Sequence, residues 1–408
     1  MTTAIPASWL TARRLRAHSS LLALCLCSVY LWNMTTPGLL DRAGNIKGTD
    51  FLHFYTLGTL ALAHRGADLY NLKVQSALLA QRVPEAAGTI YLPLYPPQVS
   101  LFFAPLACLA YASALLLWLT FTSLIYGLCC YSAWRACPNL RSHGLTVLIL
   151  ALAFPAFWHL IAWGQTSALA LAFFTLGYFA LCVQREFIAG LALGCLIFKP
   201  QLGVTAAIVF LLAFRWKLIT GVLLSSTAQL TAAWAYYGPG PLRDWMHSLL
   251  NFPNLLPLLE PRLYQTHSLR TFWTMLLPWP PVSLALYLIS VILICAITLS
   301  CWRSRLSLPL RYSALLFATV LLAPHLTVYD LVILAPAFLL LSDWIVTQPD
   351  DRITSTLKFL LYFAFALPLL GPLARWTHLQ LSVLIMAAVL YMIWNLGRKS
   401  VLVPNSVA

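Results

Sequence analysis

Only eleven acidic residues occur among 408, and two of them, Asp50 and Asp330, stand where a loop segment meets an apolar helix. Acids at membrane depth are costly, which makes each a functional candidate. Asp50 lies within GNIKGTDFLHFY, residues 44–55, and a carboxylate that reaches a substrate hydroxyl is a candidate general base. Lys199 interrupts the apolar run LGCLIFKPQLG, with Pro200 breaking the helix directly after it. It is either a cation for developing negative charge or an anchor that snorkels to the interface. Arg270 in THSLRTFW offers the same two readings. Gln165 in WGQTS presents an amide at the start of a helix, either for hydrogen bonds to a polar ligand or for the helix start itself. His325 is an anion ligand, an assistant to a base or a structural residue, and Asp330 either orients His325 or Lys199 or caps the helix that begins there. Tyr95 precedes Pro96-Pro97, which reads first as a rigid corner between loop and helix and second as a substrate contact.

The elements that must position these residues are read from hydropathy. The hydrophobic fraction is 61%, charged residues are 9% and mean hydropathy is +0.82, against about 25% charged in soluble domains. Apolar runs of about 18 residues or more recur along the chain, each long enough to cross a bilayer as a helix. The chain therefore reads as an all-α polytopic membrane protein, one integral membrane domain over residues 1–408. The net charge of +14 does not point to nucleic acid, because the basic residues gather in short loops: Arg13, Arg14 and Arg16; Arg135 and Arg141; Arg215 and Lys217; Arg303, Arg305 and Arg311; Arg398 and Lys399. That is the positive-inside pattern, and it places both termini in the cytoplasm.

About twelve spans are expected, near 20–38, 112–134, 143–161, 165–183, 187–198, 200–214, 216–237, 279–301, 310–323, 329–346, 355–373 and 378–396. QVSLFFAPLACLA is read as re-entrant; the alternative makes it a full crossing and fuses 187–214 into one helix. Two long outer loops remain, 39–97 and 238–278, and FLHFYTLGTLALAHRGADLY in the first reads as an interfacial amphipathic helix with its aromatics toward lipid.

The other acids carry less. Glu186, Asp343, Asp350 and Asp351 fall in cytoplasmic loops, and Asp41, Asp68, Glu85, Asp244 and Glu260 in outer ones, Asp68 as a cap. No Gly-rich phosphate loop accompanies Asp350-Asp351. His53 and His64 lack partners for a metal site, and no cysteine pair has ligand spacing. Neither metal nor cofactor is expected, and with no cysteine in the two outer loops a disulfide framework is not expected either.

The ordered set GTDFLHFY, ADLYN, YPPQVSLFFAPLA, WGQTSALALAFF, AGLALGCLIFKPQLG and LLAPHLTVYDLVILAP, over about residues 48–340, resembles glycosyltransferase family 87. These are membrane enzymes that use polyprenyl-phosphate-linked sugars and include mannosyltransferases. The resemblance implies the GT-C fold, with an essential acid in the first outer loop and chemistry at the outer face of the bacterial inner membrane. Asp50 stands at the position of that acid. The implied partners are a polyprenyl-phosphate-linked hexose, foremost mannose, a lipid or glycan acceptor, and membrane lipids. Lys199, His325 and Arg270 are then the candidate phosphate ligands, while Phe51, Phe54 and Tyr55 would exclude water from the donor. Where some members carry a histidine pair, this chain has Tyr329-Asp330, with His325 one helical turn earlier.

Two other functions fit the same composition. A transporter or flippase of lipid-linked glycans would use broken helices around a central site. A ligase or polymerase of surface polysaccharide would differ only in its motifs.

Overall fold

The structure, a computed structural model, describes residues 10–402. It opens with α1 (Ala12–Met34), capped by the Thr11 hydroxyl, which accepts from the Arg14 amide at 3.2 Å. The segment up to Pro97 carries α2 (Thr49–Leu62) and α3 (Leu72–Arg82). There follow α4 (Gln98–Ala107), α5 (Tyr111–Arg135), α6 (Gly144–Ala153), α7 (Pro155–Trp163), α8 (Ser167–Cys182), α9 (Glu186–Gly194), α10 (Pro200–Leu212) and α11 (Trp216–Tyr237). The second long segment carries α12 (Gly240–Leu250), α13 (Phe252–Leu259) and α14 (Leu269–Leu276). The chain then runs through α15 (Pro280–Arg303), α16 (Leu308–Leu322), α17 (Ala335–Ile345), α18 (Arg352–Ala366), α19 (Ala374–Thr377) and α20 (Leu381–Leu402).

Among the described residues strand pairing is limited to two isolated bridges, so the all-α reading holds. Seven helices are long and apolar enough to cross a membrane, or eight if the bent pair 138–163 is one span. Five shorter apolar helices accompany them among the described residues, and the expected figure of about twelve requires counting four of these as crossings besides the bent pair, or all five without it. The span expected at 143–161 is broken instead, bending by 49° where Pro155 starts α7, since proline cannot continue the hydrogen-bond ladder.

The interfacial reading of the first long segment is overturned at α2. Every residue from Phe51 to Ala61 is buried, and α2 packs closely on α4: a Cβ added at Gly58 would lie 2.5 Å from the Phe103 carbonyl oxygen. A helix apolar around its whole circumference is buried by protein rather than laid on a surface. Nor does Asp68 cap this helix; it pairs with Arg65 at 2.7 Å.

Residues 186–212 form two arms rather than one helix. Glu186 at the start of α9 pairs with Arg215, just past α10, at 2.7 Å, and the arms meet at Lys199-Pro200. Lys199 takes φ −131° and ψ 73°, because the residue before a proline is driven out of the helical region. The hairpin thus places the charged pair at one end and Lys199 at the other. α8 and the span 328–345 have the same polarity: Gln165 and Asp330 lie at one end, Arg185 and Asp343 at the other. The polar candidates therefore gather opposite the basic loops.

Candidate active site

Two glycines in the left-handed region bring Asp50 to Gln165. Gly48 (φ 66°) precedes α2 and Gly164 (φ 67°) ends α7, a conformation only glycine adopts freely. A Cβ at Gly164 would sit 2.7 Å from Phe51 Cβ, so the two turns interlock. α5 fixes both: Trp118 Nε1 donates to the Gly164 carbonyl at 2.8 Å, and the Tyr111 hydroxyl donates to the Lys47 carbonyl at 2.7 Å.

From these turns a polar chain runs through the bundle. Gln165 Nε2 donates to Asp50 Oδ2 at 2.6 Å, while its Oε1 accepts from Lys199 Nζ at 3.1 Å and from the Thr166 amide at 3.1 Å. Lys199 Nζ also donates to Ser167 Oγ at 2.9 Å and pairs with Asp330 Oδ1 at 2.8 Å. Lys199 is 3% and Asp330 1% exposed, a depth at which charges require a partner. The other oxygen of Asp330 accepts from the Thr327 amide at 3.4 Å, so this acid both holds Lys199 and closes the start of its own helix.

A second group stands beside it. His325 Nδ1 lies 2.7 Å from Glu260 Oε1, and Arg270 pairs with the other oxygen of the same carboxylate. Arg270 also donates to the Pro324 carbonyl, which clamps the residue preceding His325. Burial opposes charge on Glu260, but His325 and Arg270 outweigh it and hold the carboxyl below its ordinary range. The second long segment is docked here by a bridge between Thr266 and Thr327 and by the His267 amide donating to the Leu326 carbonyl at 3.0 Å.

Both groups open on one cavity of about 550 Å³, lined by Asp50, His53, Tyr95, Gln165, Lys199 and His325 among others. That volume lies in the range of about 300–1,000 Å³ common for ligand sites. Among the described residues Asp50 is the only acid lining it. Burial raises the Asp50 carboxyl from its usual value to about 6, although the Gln165 hydrogen bond and the charge of Lys199 pull the other way. An acid in that range takes up a proton near neutrality, as a general base must.

Of the sequence candidates, Asp50, Gln165, Lys199, His325 and Tyr95 line this cavity, the Tyr95 hydroxyl being 3.5 Å from Gln165 Oε1. Arg270 does not line it, because its guanidinium is committed to Glu260 and Pro324. Asp330 sits behind Lys199, and Asp330 serves Lys199 rather than His325. Tyr55 is buried in the core with its hydroxyl on the Leu109 carbonyl at 2.8 Å, and Phe51 packs on Trp118; of the three expected water-excluding aromatics only Phe54 borders the cavity.

Two residues escaped sequence reasoning. Glu260 looked like one more acid of a Pro-rich loop; its partners lie 10 and 65 positions further on, and nothing local signals them. His53 follows Asp50 by three positions, on the same face of α2. That spacing was a usable signal. Burial lowers its imidazole to about 4, which keeps it neutral, and its ring packs 5.2 Å from that of Tyr91.

These features define a helical membrane protein in which a carboxylate, a bridging amide, an ion-paired lysine and a histidine face one cavity. The model of glycosyltransferase family 87 matches residues 94–328, more than half of the chain, and the chain belongs to that family. The matched segment contains Gln165, Lys199, Glu260 and His325, whereas Asp50 lies ahead of it. No curated protein and no solved structure matches the chain.

Proposed function

We propose that this membrane glycosyltransferase moves a hexose, foremost mannose, from a polyprenyl-phosphate-linked donor to a hydroxyl of a lipid or glycan acceptor, at the outer face of a bacterial inner membrane. The observation that carries the reading is the pairing of Asp50 with Lys199 across Gln165, at the end of the molecule opposite the basic loops. Basic loops stay on the cytoplasmic side, so the cavity belongs to the other side.

The acceptor oxygen attacks the anomeric carbon, and Asp50 receives its proton. Gln165 engages only one carboxylate oxygen, which leaves the other for the acceptor. As the new carbon–oxygen bond forms, the bond from the anomeric carbon to the phosphate oxygen breaks and the electron pair leaves with the polyprenyl phosphate. Lys199, its three N–H groups held by Gln165, Ser167 and Asp330, faces that charge as a fixed positive charge, and His325 lines the same cavity. Direct attack in this manner inverts the anomeric centre. Phe54 and Tyr95, packed 4.8 Å apart, cover the Asp50 side and keep out competing water.

The test is reconstitution of the purified chain in proteoliposomes with polyprenyl phosphate carrying labelled mannose, glucose or galactose, together with a lipid extract as acceptor. The label is expected to leave the donor for a new lipid or glycan, fastest with mannose. Donor that crosses the bilayer chemically unchanged would instead make the protein a flippase.

A further inference from the structure

A second cavity, of about 800 Å³, lies at the opposite end of the bundle between α1, α6, α17 and α18. Its wall is graded along its length. Toward the basic face it is bordered by Arg16, His18, His143 and Lys358, and no acid lines it among the described residues. Deeper in, the wall is hydrocarbon and aromatic: Leu150, Phe154, Phe338 and Phe365, then Leu369 and Leu370. The register of α18 makes the gradient explicit, since Lys358, Tyr362 and Phe365 follow at four- and three-residue steps along one face, and Leu369 lies in the turn beyond the helix.

Residues of α1 form one side of the cavity. α1 leans on α6 and α7 and, apart from Ser19, buries none of its described residues. One link from α1 to α18 is the 3.0 Å hydrogen bond between His18 and Tyr362. Lys358 is partly compensated by Asp350 at 3.0 Å; Arg16 adds a second positive charge, and His18 and His143 add polar ring nitrogens. Basic pockets between membrane helices at the cytoplasmic surface suit anionic headgroups, and an apolar shaft beneath them suits a fatty chain.

We propose that this cavity binds one anionic glycerophospholipid of the inner leaflet, its phosphate between Arg16 and Lys358 and a fatty chain along Phe338 and Phe365. The site is separate from the sugar-transfer cavity, yet the two share framework: α7 with the segment just before it, and the span 328–345, border the outer cavity with His159 and Tyr329 and the inner one with Phe154 and Phe338. The lipid therefore wedges the framework that holds Tyr329 and Asp330, without touching the chemistry.

The experiment uses the full-length chain in nanodiscs and phosphatidylglycerol with a photoactivatable fatty chain, followed by mapping of the labelled peptides. Labelling is expected within residues 338–346 and 361–370, displaced by unlabelled phosphatidylglycerol but not by phosphatidylcholine. Arg16→Gln and Lys358→Gln should each weaken that labelling about fivefold, as removal of one headgroup cation does. Folding of each variant is checked by its elution profile and by labelling elsewhere on α1, which should not change. Equal displacement by phosphatidylcholine, labelling insensitive to both substitutions, or displacement by polyprenyl phosphate alone would each overturn the proposal.

Discussion

Asp50 and Lys199 are joined through a single amide. Gln165 gives its nitrogen to the carboxylate at 2.6 Å and its oxygen to the ammonium at 3.1 Å. Because the amide has distinct donor and acceptor ends, it can satisfy both charges in only one orientation. Base and cation are thereby held at a fixed spacing without neutralising each other. Gln165→Glu should therefore abolish transfer while the protein still folds, since a carboxylate cannot donate to Asp50. Gln165→Ala should retain donor binding and lose turnover. The split between KM and kcat checks this.

The raised Asp50 carboxyl links activity and stability to pH in opposite directions. Transfer measured as kcat/KM should fall as pH drops through about 6, as the base takes up its proton. Stability runs the other way: the folded state binds the proton more tightly than the unfolded state, so this group's contribution is full below the usual value of 3.8 and is lost as pH rises through about 6. The penalty at neutral pH is about 3 kcal/mol on that shift. Asp50→Asn should thus be inactive and at least as heat-stable as the parent at pH 7, measured by thermal unfolding in detergent.

Lys199 and Asp330 are a buried pair whose members should fail separately. Lys199→Met or Asp330→Leu leaves one charge alone and should cost about 3–5 kcal/mol, whereas the double substitution should recover much of that loss. Activity should remain absent in the double variant, because Lys199 also faces the cavity. Thermal unfolding of all four proteins completes the cycle.

Glu260→Gln should raise KM for the donor more than it lowers kcat, by leaving His325 without its carboxylate. Glu260→Asp, which keeps the charge, should restore part of the donor KM.

Gly164→Ala should lower both activity and stability. The alanine would take a backbone conformation costing about 1–2 kcal/mol, and its Cβ would meet Phe51 Cβ at 2.7 Å. Purified yield and Tm, compared with those of Gly88→Ala at an open left-handed turn, check that the loss exceeds backbone strain alone.

Hydropathy carried most of the architecture because membrane-length runs are local signals. Tyr111–Arg135, Trp216–Tyr237 and Pro280–Arg303 fall within a few residues of the expected spans. Lys199-Pro200 was legible as a break because proline acts on its immediate neighbours. The burial of α2 was not legible, since its hydrophobicity suits a membrane interface as well as the interior of a bundle, and only the packing on α4 decides. Asp50 and Lys199 were visible as residues that violate their surroundings. Glu260 hid in a polar loop, where an acid violates nothing, and its role exists only once Arg270 and His325 fold over it.

The central claim is transfer from a lipid-linked sugar with Asp50 as base. The most direct measurement is transfer of labelled mannose from polyprenyl-phosphate mannose into membrane acceptors, comparing the native chain with Asp50→Asn at matched expression. Transfer by the native chain is expected, with at least a hundredfold loss in the variant, the scale of about 10²–10⁴ that a general base supplies. Undiminished transfer by Asp50→Asn would contradict it and leave that carboxylate a structural partner of Gln165.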